Sequence, residues 1–329
     1  MTKKRVGILF GMEEHFPWAL VNAINEKAGD EIEASPVEIS SIRDDISTNY
    51  DLIVDRISHD VPFYRAYVKA AAACGATLIN NPFWWSADDK FMDNLVARAA
   101  GVAVPKTVLL PHKEHPPNTK ASSFRNMKFV EWDAVFEYLG FPIFLKPADG
   151  GGWRDVYKCD DPGEFFASYD RTRDLCMIAQ EAIDFTDYFR CYVIGRERVH
   201  IMRYDPRHPH HERYVKDAPP IDDAMDRRLR RDCIALCEAL GYDMNTVEFA
   251  VRDGVPYAID FMNPAPDADP FSVGQENFDW VVDNLSDVVI DRVRHPRGFE
   301  PTGSWPQLLP VAKRKKAVKK KAATKKKQS

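Results

Sequence analysis

The sequence predicts an α/β protein assembled from a parallel α/β unit and two α+β lobes, and three observations carry that reading. At 329 residues with 45% apolar residues, the chain exceeds the length at which one hydrophobic core stops growing. Its first hundred residues alternate short apolar runs with amphipathic segments. After Gly101 the pattern changes, with a polar, Pro- and Ser-containing stretch from Lys113 to Met127.

Taken in order, Val6 to Phe10 predicts a strand, Pro17 to Glu26 a helix, Leu52 to Val54 a strand, Pro62 to Cys74 a helix and Ala76 to Ile79 a strand. A helix from about Ser86 to Ala100 ends at Gly101. Glu131 to Leu139 predicts a helix closed by Gly140, and Pro142 to Leu145 a strand that delivers Lys146. A glycine loop, Ala148 to Asp155, leads to a strand at Val156 to Cys159 and a helix after Asp161 and Pro162. Further strands are expected at Met177 to Gln180, Tyr192 to Ile194, Val199 to Arg203, Thr246 to Val251 and Tyr257 to Asp260, with a helix from Asp222 to Leu240. The expected units are residues 1–102, 103–176 and 177–298, followed by a disordered tail over 299–329.

Charge and cysteine usage narrow the class. Lys313 to Lys327 holds ten Lys or Arg and no acid, leaving 35 basic and 50 acidic groups before it, a net charge of −15. Such a run cannot bury enough apolar surface to offset its ordering entropy; it suits non-specific contact with a polyanion through residues 313–327, or a solubilising tail. The six cysteines show no C-x-x-C or zinc-ribbon spacing, and Cys233 and Cys237 fall on one apolar helix face with Met225, Leu229, Leu236 and Leu240. A reduced, cytoplasmic protein is expected. No stretch approaches the roughly 18 apolar residues a membrane helix needs, and no small-residue cleavage site follows the basic start.

The chemistry centres on Lys146 and the glycines Gly150, Gly151 and Gly152. A lysine at a strand end followed by a glycine turn lets backbone N–H groups and a mobile ammonium approach phosphate oxygens. Gly-x-x-x-x-Gly-Lys occurs nowhere, so a P-loop is not predicted. Downstream, Glu248 and Asp260 lie on two strands joined by Arg252, Asp253 and Gly254, each acid flanked by bulky apolar residues. A hairpin brings them side by side, and with Asn263 they suit a magnesium or manganese ion shared with substrate phosphates. His208, His210 and His211, with Arg207 and Arg213, form a candidate substrate-reading loop, and Trp84 and Trp85 candidate pocket or interface aromatics.

Four segments in order, Ala87-Asp88-Asp89-Lys90, then Gly140 to Lys146 and Pro147, then Gln180-Glu181-Ala182-Ile183, then Glu248, Asp260, Asn263 and Pro264, resemble the ATP-grasp superfamily. The order is most similar to the carboxylate-amine ligases that include glutathione synthetase and the ribosomal-protein glutamate ligases, over about Val6 to Arg294. That resemblance implies an N-terminal Rossmann-like domain and two α+β lobes sandwiching ATP. It implies that Lys90 and Lys146 contact phosphates, that the glycine loop with Arg154 forms a lid, and that Gln180, Glu181 and Ile183 hold adenine. It also implies a ribose contact at Asp187, a metal site at Glu248, Asp260 and Asn263, and acyl-phosphate stabilisation by Arg190 with Arg203 adding charge. Trp153 makes this lid bulkier than the family's, and Asn263 stands three residues after an aspartate where the family places its amide two after a glutamate. The implied reaction joins a small-molecule or peptide carboxylate to an amine with release of ADP and phosphate. The alternatives are a small-molecule kinase on the same fold, or a non-catalytic ATP-binding scaffold whose tail holds a polyanion.

Overall fold

The computed structural model describes residues 2–45, 48–83, 89–209, 212–215 and 218–297. Expectations placed on Trp84, Trp85, Ala87, Asp88, His210, His211 and residues 298–329 therefore lie outside the described residues.

The N-terminal unit contains β1 (Lys4–Leu9), α1 (Phe16–Ala28), β2 (Ile32–Pro36), β3 (Leu52–Asp55), α2 (Pro62–Ala73) and β4 (Thr77–Ile79). The strands form a parallel sheet in the order β2-β1-β3-β4. Val6–Leu9 of β1 and Leu52–Val54 of β3 carry no polar side chain and are buried, because helices cover both faces of a parallel sheet. On one face Val6, Ile8, Leu52 and Val54 pack with Leu20 and Ile24 of α1; on the other Leu9 and Ile53 pack with Tyr67, Val68 and Ala71 of α2.

After α3 (Lys90–Ala99) come β5 (Thr107–Leu110), α4 (Trp132–Leu139), β6 (Ile143–Pro147), β7 (Tyr157–Cys159), α5 (Pro162–Arg171) and β8 (Met177–Glu181). These four strands form an antiparallel sheet in the order β5-β8-β6-β7. The expected division at residue 176 is thereby corrected: β8 lies in the middle of this sheet, paired to both β5 and β6. Strand pairing between distant segments leaves no local mark in a sequence, so the boundary could not be read there. Alternation along β6 sends Ile143 and Leu145 toward α4 and α5, where Trp132, Phe136, Phe165 and Tyr169 form an aromatic core. Phe144 and Lys146 consequently point out of the other face.

The third unit contains β9 (Asp187–Ile194), β10 (Arg198–Arg203), α6 (Asp223–Leu240), β11 (Met244–Arg252), β12 (Val255–Asp260), α7 (Pro270–Val273) and α8 (Gln275–Arg294). Its antiparallel sheet runs β10-β9-β11-β12. Asp222 caps α6 by accepting from the amides of Ala224 and Met225 at 3.0 Å, and Gly241, at φ 80°, closes it in the left-handed conformation glycine tolerates. The stripe Leu229, Cys233, Leu236, Cys237 and Leu240 is buried against Val247 and Phe249. Helix α8 sends Val281, Leu285 and Val289 into the core shared with α1, joining this unit to the first.

Asn80, just past β4, fastens the same joint. Its Oδ1 accepts from the amides of Asp243 and Met244 at 2.7 and 2.8 Å, and its Nδ2 donates to the carbonyls of Met244 and Pro264 at 2.7 and 3.0 Å. At about 1 kcal/mol net for each of these four bonds, Asn80→Ala is expected to cost ~4 kcal/mol of stability. A urea midpoint unchanged by this substitution would show that the joint carries no such load.

Candidate active site

Two antiparallel sheets face each other, and the residues singled out by sequence divide between them. Lys146 leaves the inward face of β6, beside Ile178 and Gln180 of β8. From the other sheet, Tyr188, Arg190 and Glu248 rise together, since Glu248 pairs with Arg190 across β9 and β11. The β11–β12 hairpin turns at Asp253 and Gly254, whose φ angles of 54° and 70° suit the tight turn that the Asp-Gly pair favours. Its ladder slips by one residue: Phe249 pairs with Ala258 but Glu248 with Asp260, leaving Ile259 as the extra residue of a bulge. The slip sets the two carboxylates directly opposite each other.

Electrostatics tie the two sheets into one site. Burial lowers the Lys146 pKa to about 8, with Asp260 opposing that fall, Lys90 adding to it and Glu248 opposing it more weakly. Burial likewise raises the carboxyl of Glu248, helped by Asp260 and opposed by Arg190 and by the hydroxyl of Tyr188, which donates to Glu248 Oε2 at 2.7 Å. Arg190 Nη1 stands 3.5 Å from Glu248 Oε1. Its guanidinium also lies over the Tyr204 ring at 5.6 Å, and its Nε, buried, has no hydrogen-bond partner among the described residues. Two partly buried carboxylates in cross-strand register favour a cation between them, and their oxygen donors suit magnesium. Among the described residues no group of three His, Cys, Asp or Glu side chains forms a metal cluster.

The glycine loop hangs from this site. Lys90, the first residue of α3, donates its backbone N–H to the Ala148 carbonyl at 2.9 Å, and its Nζ to the Gly150 carbonyl. Gly150 and Gly152 have φ angles of 73° and 75°, and a Cβ built on Gly150, Gly151 or Gly152 meets nothing within 4 Å. The positive φ of Gly150 and Gly152 favours glycine there, and internal packing requires none of the three. Trp153 and Arg154 are exposed on the same loop.

Several expected residues are engaged differently. Arg203 does not join Arg190. It pairs in register with Phe189, one residue out of phase, so it leaves the sheet on the α6 side, where it forms an ion pair with Asp187 and covers the Phe189 ring at 4.6 Å. Glu181 receives Arg252 Nη1 at 2.8 Å and the Lys106 amide at 3.2 Å, while Gln180 Nε2 donates to Thr107 Oγ1 at 3.0 Å. Ile183 is buried with Tyr188 and Ala250. Asn263 hangs on β11, its amide donating to Asn245 Oδ1 at 2.9 Å and its Nδ2 to the Thr246 carbonyl at 3.2 Å, two residues from Glu248. In the His208 loop, Arg207 forks onto Asp205, whose pKa falls to about 2 through that hydrogen bonding.

Sequence reasoning missed a cavity of about 470 Å³ at the C-terminal ends of β1 and β3, where parallel sheets commonly bind ligands. Glu13, Glu14, Arg56, His59, Asp60, Asp267 and Asp269 line it. Arg56 is buried at its base, donating Nε to Glu13 Oε2 at 3.0 Å and Nη2 to the Pro266 carbonyl at 2.7 Å, over the Phe16 ring at 4.8 Å. Asp267 links cavity and cleft, since its carbonyl accepts from the Tyr192 hydroxyl. The only signal available was position: charged residues just after two apolar strands.

The fold is that of the ATP-grasp ligases. It is similar to D-alanine–D-alanine ligase from Bacillus anthracis complexed with ATP, at a TM-score of 0.62 and 16% identity, over 89% of this chain and 98% of that one. ATP-grasp ligase PsnB, complexed with minimal precursor, Mg and ADP, aligns at a TM-score of 0.57 and 14% identity over 88% and 98% of the two chains. In sequence the chain is 27% identical over 190 residues to D-alanine–D-alanine ligase of Dechloromonas aromatica, a match spanning 54% of this chain and 58% of that relative. No protein-family model matches the chain.

Proposed function

We propose that the chain is an ATP-dependent ligase that joins a carboxylate to an amine through an acyl phosphate. The observation that carries this reading is the convergence of Lys90, Lys146, Glu248 and Asp260 between two facing sheets, each felt in the ionisation of Lys146. In that arrangement Lys146 and Lys90 bind and orient the phosphates, and the glycine loop covers them and excludes water. Magnesium, held by Glu248 and Asp260 with Asn263 alongside, would supply charge neutralisation at the transferring oxygens. A carboxylate oxygen of the substrate attacks the γ-phosphorus as the bond to ADP breaks; the amine then attacks the acyl carbon and phosphate leaves. Arg190, charged and buried beside this point, stabilises the oxyanion of the second step. No protein nucleophile is needed.

The acid-rich cavity beside Arg56 supports an ammonium-bearing substrate, with five carboxylates against one arginine and one histidine on its walls. Ile183, with the strand carrying Gln180 and Glu181, is the proposed adenine contact, whereas Asp187 is paired with Arg203 on the face of the sheet away from Glu248 and is not assigned to the ribose. Residues 1–102 act as the pre-ATP-grasp domain, with the small lobe extended through Glu181 and the remainder to residue 298 as the large lobe. A cytoplasmic setting fits the six free cysteines.

The test is ADP release by the full chain against paired amino acids and small peptides, with hydroxylamine as a trap. The expected result is ADP formation that requires a carboxylate and yields a hydroxamate, absent in Lys146→Ala. A phosphorylated hydroxyl product without hydroxamate would replace this reading with a kinase; ATP binding that survives Glu248→Ala, with no turnover on any pair, would replace it with a scaffold.

A further inference from the structure

Asparagine is mostly an exposed residue, yet one stands fully buried behind the pair Glu248 and Asp260. Alternation along β11 sends Asn245 to the face that Val247 and Phe249 share with α6, opposite to the face of Glu248. A buried amide is costly unless its donors and its acceptor find partners, and all of them do. Its Nδ2 donates to the Phe261 carbonyl at 2.9 Å and toward Cys237 Sγ at 3.7 Å, and its Oδ1 accepts from the Asn263 amide at 2.9 Å.

These bonds fall where the backbone ladder stops. Strand β12 ends at Asp260, in register with Glu248, and the following residues make no ladder with β11. Phe261 and Met262 stay buried all the same, where an unpaired carbonyl or amide would be out of reach of water. The Asn245 side chain takes over from the missing ladder by holding the Phe261 carbonyl and the Asn263 amide together. Phe261 and Met262, though consecutive, both enter the core that α6 covers, so the alternation of the strand breaks between them. One broken step is what returns a residue three after Asp260 to the Asp260 face. Asn263 then lays its Nδ2 on the Thr246 carbonyl at 3.2 Å, and Oδ1 is the atom it has left for a cation.

We infer that Asn245 is a positioning residue for the metal site. By clamping the Phe261 carbonyl and the Asn263 amide from behind the sheet, it fixes the break after Asp260 and presents Asn263 Oδ1 beside the two carboxylates. This inference rests on the ligase reading, which supplies the cation, and it gives the irregular Asp260 to Asn263 spacing a structural cause.

The test is direct metal binding: Mn2+ titrated into the full chain with β,γ-methylene-ATP present, followed by electron paramagnetic resonance. Asn245→Leu keeps the volume and removes every polar atom, and Asn245→Ser is a smaller change should the leucine variant not fold. Each is expected to raise the Mn2+ dissociation constant by about tenfold, as is Asn263→Ala. Because Asn245 acts through Asn263, the double variant Asn245→Leu with Asn263→Ala should bind no more weakly than Asn263→Ala alone. Leu229→Ala, in the same core on α6, should lower the unfolding temperature and leave Mn2+ affinity unchanged. Wild-type affinity in both Asn245 variants, losses that add in the double variant, or an equal loss in Leu229→Ala would each overturn the inference and leave the ligase reading standing. A wild-type chain that takes up no Mn2+ beside the nucleotide would instead bring down the metal site of the ligase reading, and this inference with it.

Discussion

Lys146→Ala is expected to lower kcat/KM for ATP by on the order of 10²–10³-fold, and Lys146→Arg to recover little of it while removing the alkaline limb of the wild-type pH profile. The argument starts at β6, where alternation puts Ile143 and Leu145 in the lobe core and Lys146 on the cleft face. There, burial brings its pKa to about 8. The ammonium is the form that holds phosphate, and its fraction falls as pH rises through that value. Since kcat/KM reports the free enzyme, wild-type activity should decline above about pH 8, approaching tenfold per unit. Arginine stays charged throughout, so its variant should be flat there, but a planar fork cannot replace a compact ammonium between Lys90 and Asp260. A flat wild-type profile from about pH 7 to about pH 9.5 would remove Lys146 from the phosphate site.

What the sequence made legible follows from how local each signal is. The strand carrying Lys146, the Asp253-Gly254 hairpin and the α6 stripe all rest on neighbours within a few residues, and the structure holds each of them. Strand β2 escaped because Ile32 to Pro36 is short and half polar, and the first half of β9 because Asp187 and Arg190 interrupt its apolar pattern. Helix α8 was not read, although Val281, Leu285 and Val288 keep helical spacing, because no motif drew attention to it. Arg203 shows a different limit. Its strand was evident, but the face it leaves depends on register against β9, and one residue of phase moved it from Arg190 to Asp187. Tyr188, which bonds Glu248, and Arg56, at the base of the acidic cavity, become functional candidates only once distant segments meet.

The same register argument makes Asp260 the most informative residue to neutralise. The bulge at Ile259 sets it opposite Glu248, and its charge is the largest force holding the Lys146 pKa up against burial. Asp260→Asn keeps the size of the side chain while removing one of the two carboxylates proposed to hold magnesium. Activity is expected to fall by about 10²-fold and the magnesium concentration for half-maximal turnover to rise by about tenfold or more. Two ionisations should move with it. Glu248, relieved of its like-charged neighbour, titrates lower, and Lys146, deprived of its main anion, loses its proton more readily. The alkaline limb of the residual activity should therefore shift below about pH 8. Thermal unfolding checks that the variant is folded. A raised magnesium requirement with an unmoved limb would mean that the metal site and Lys146 do not share one electrostatic environment in solution, and the phosphate-holding role would then rest on Lys90 and the glycine loop.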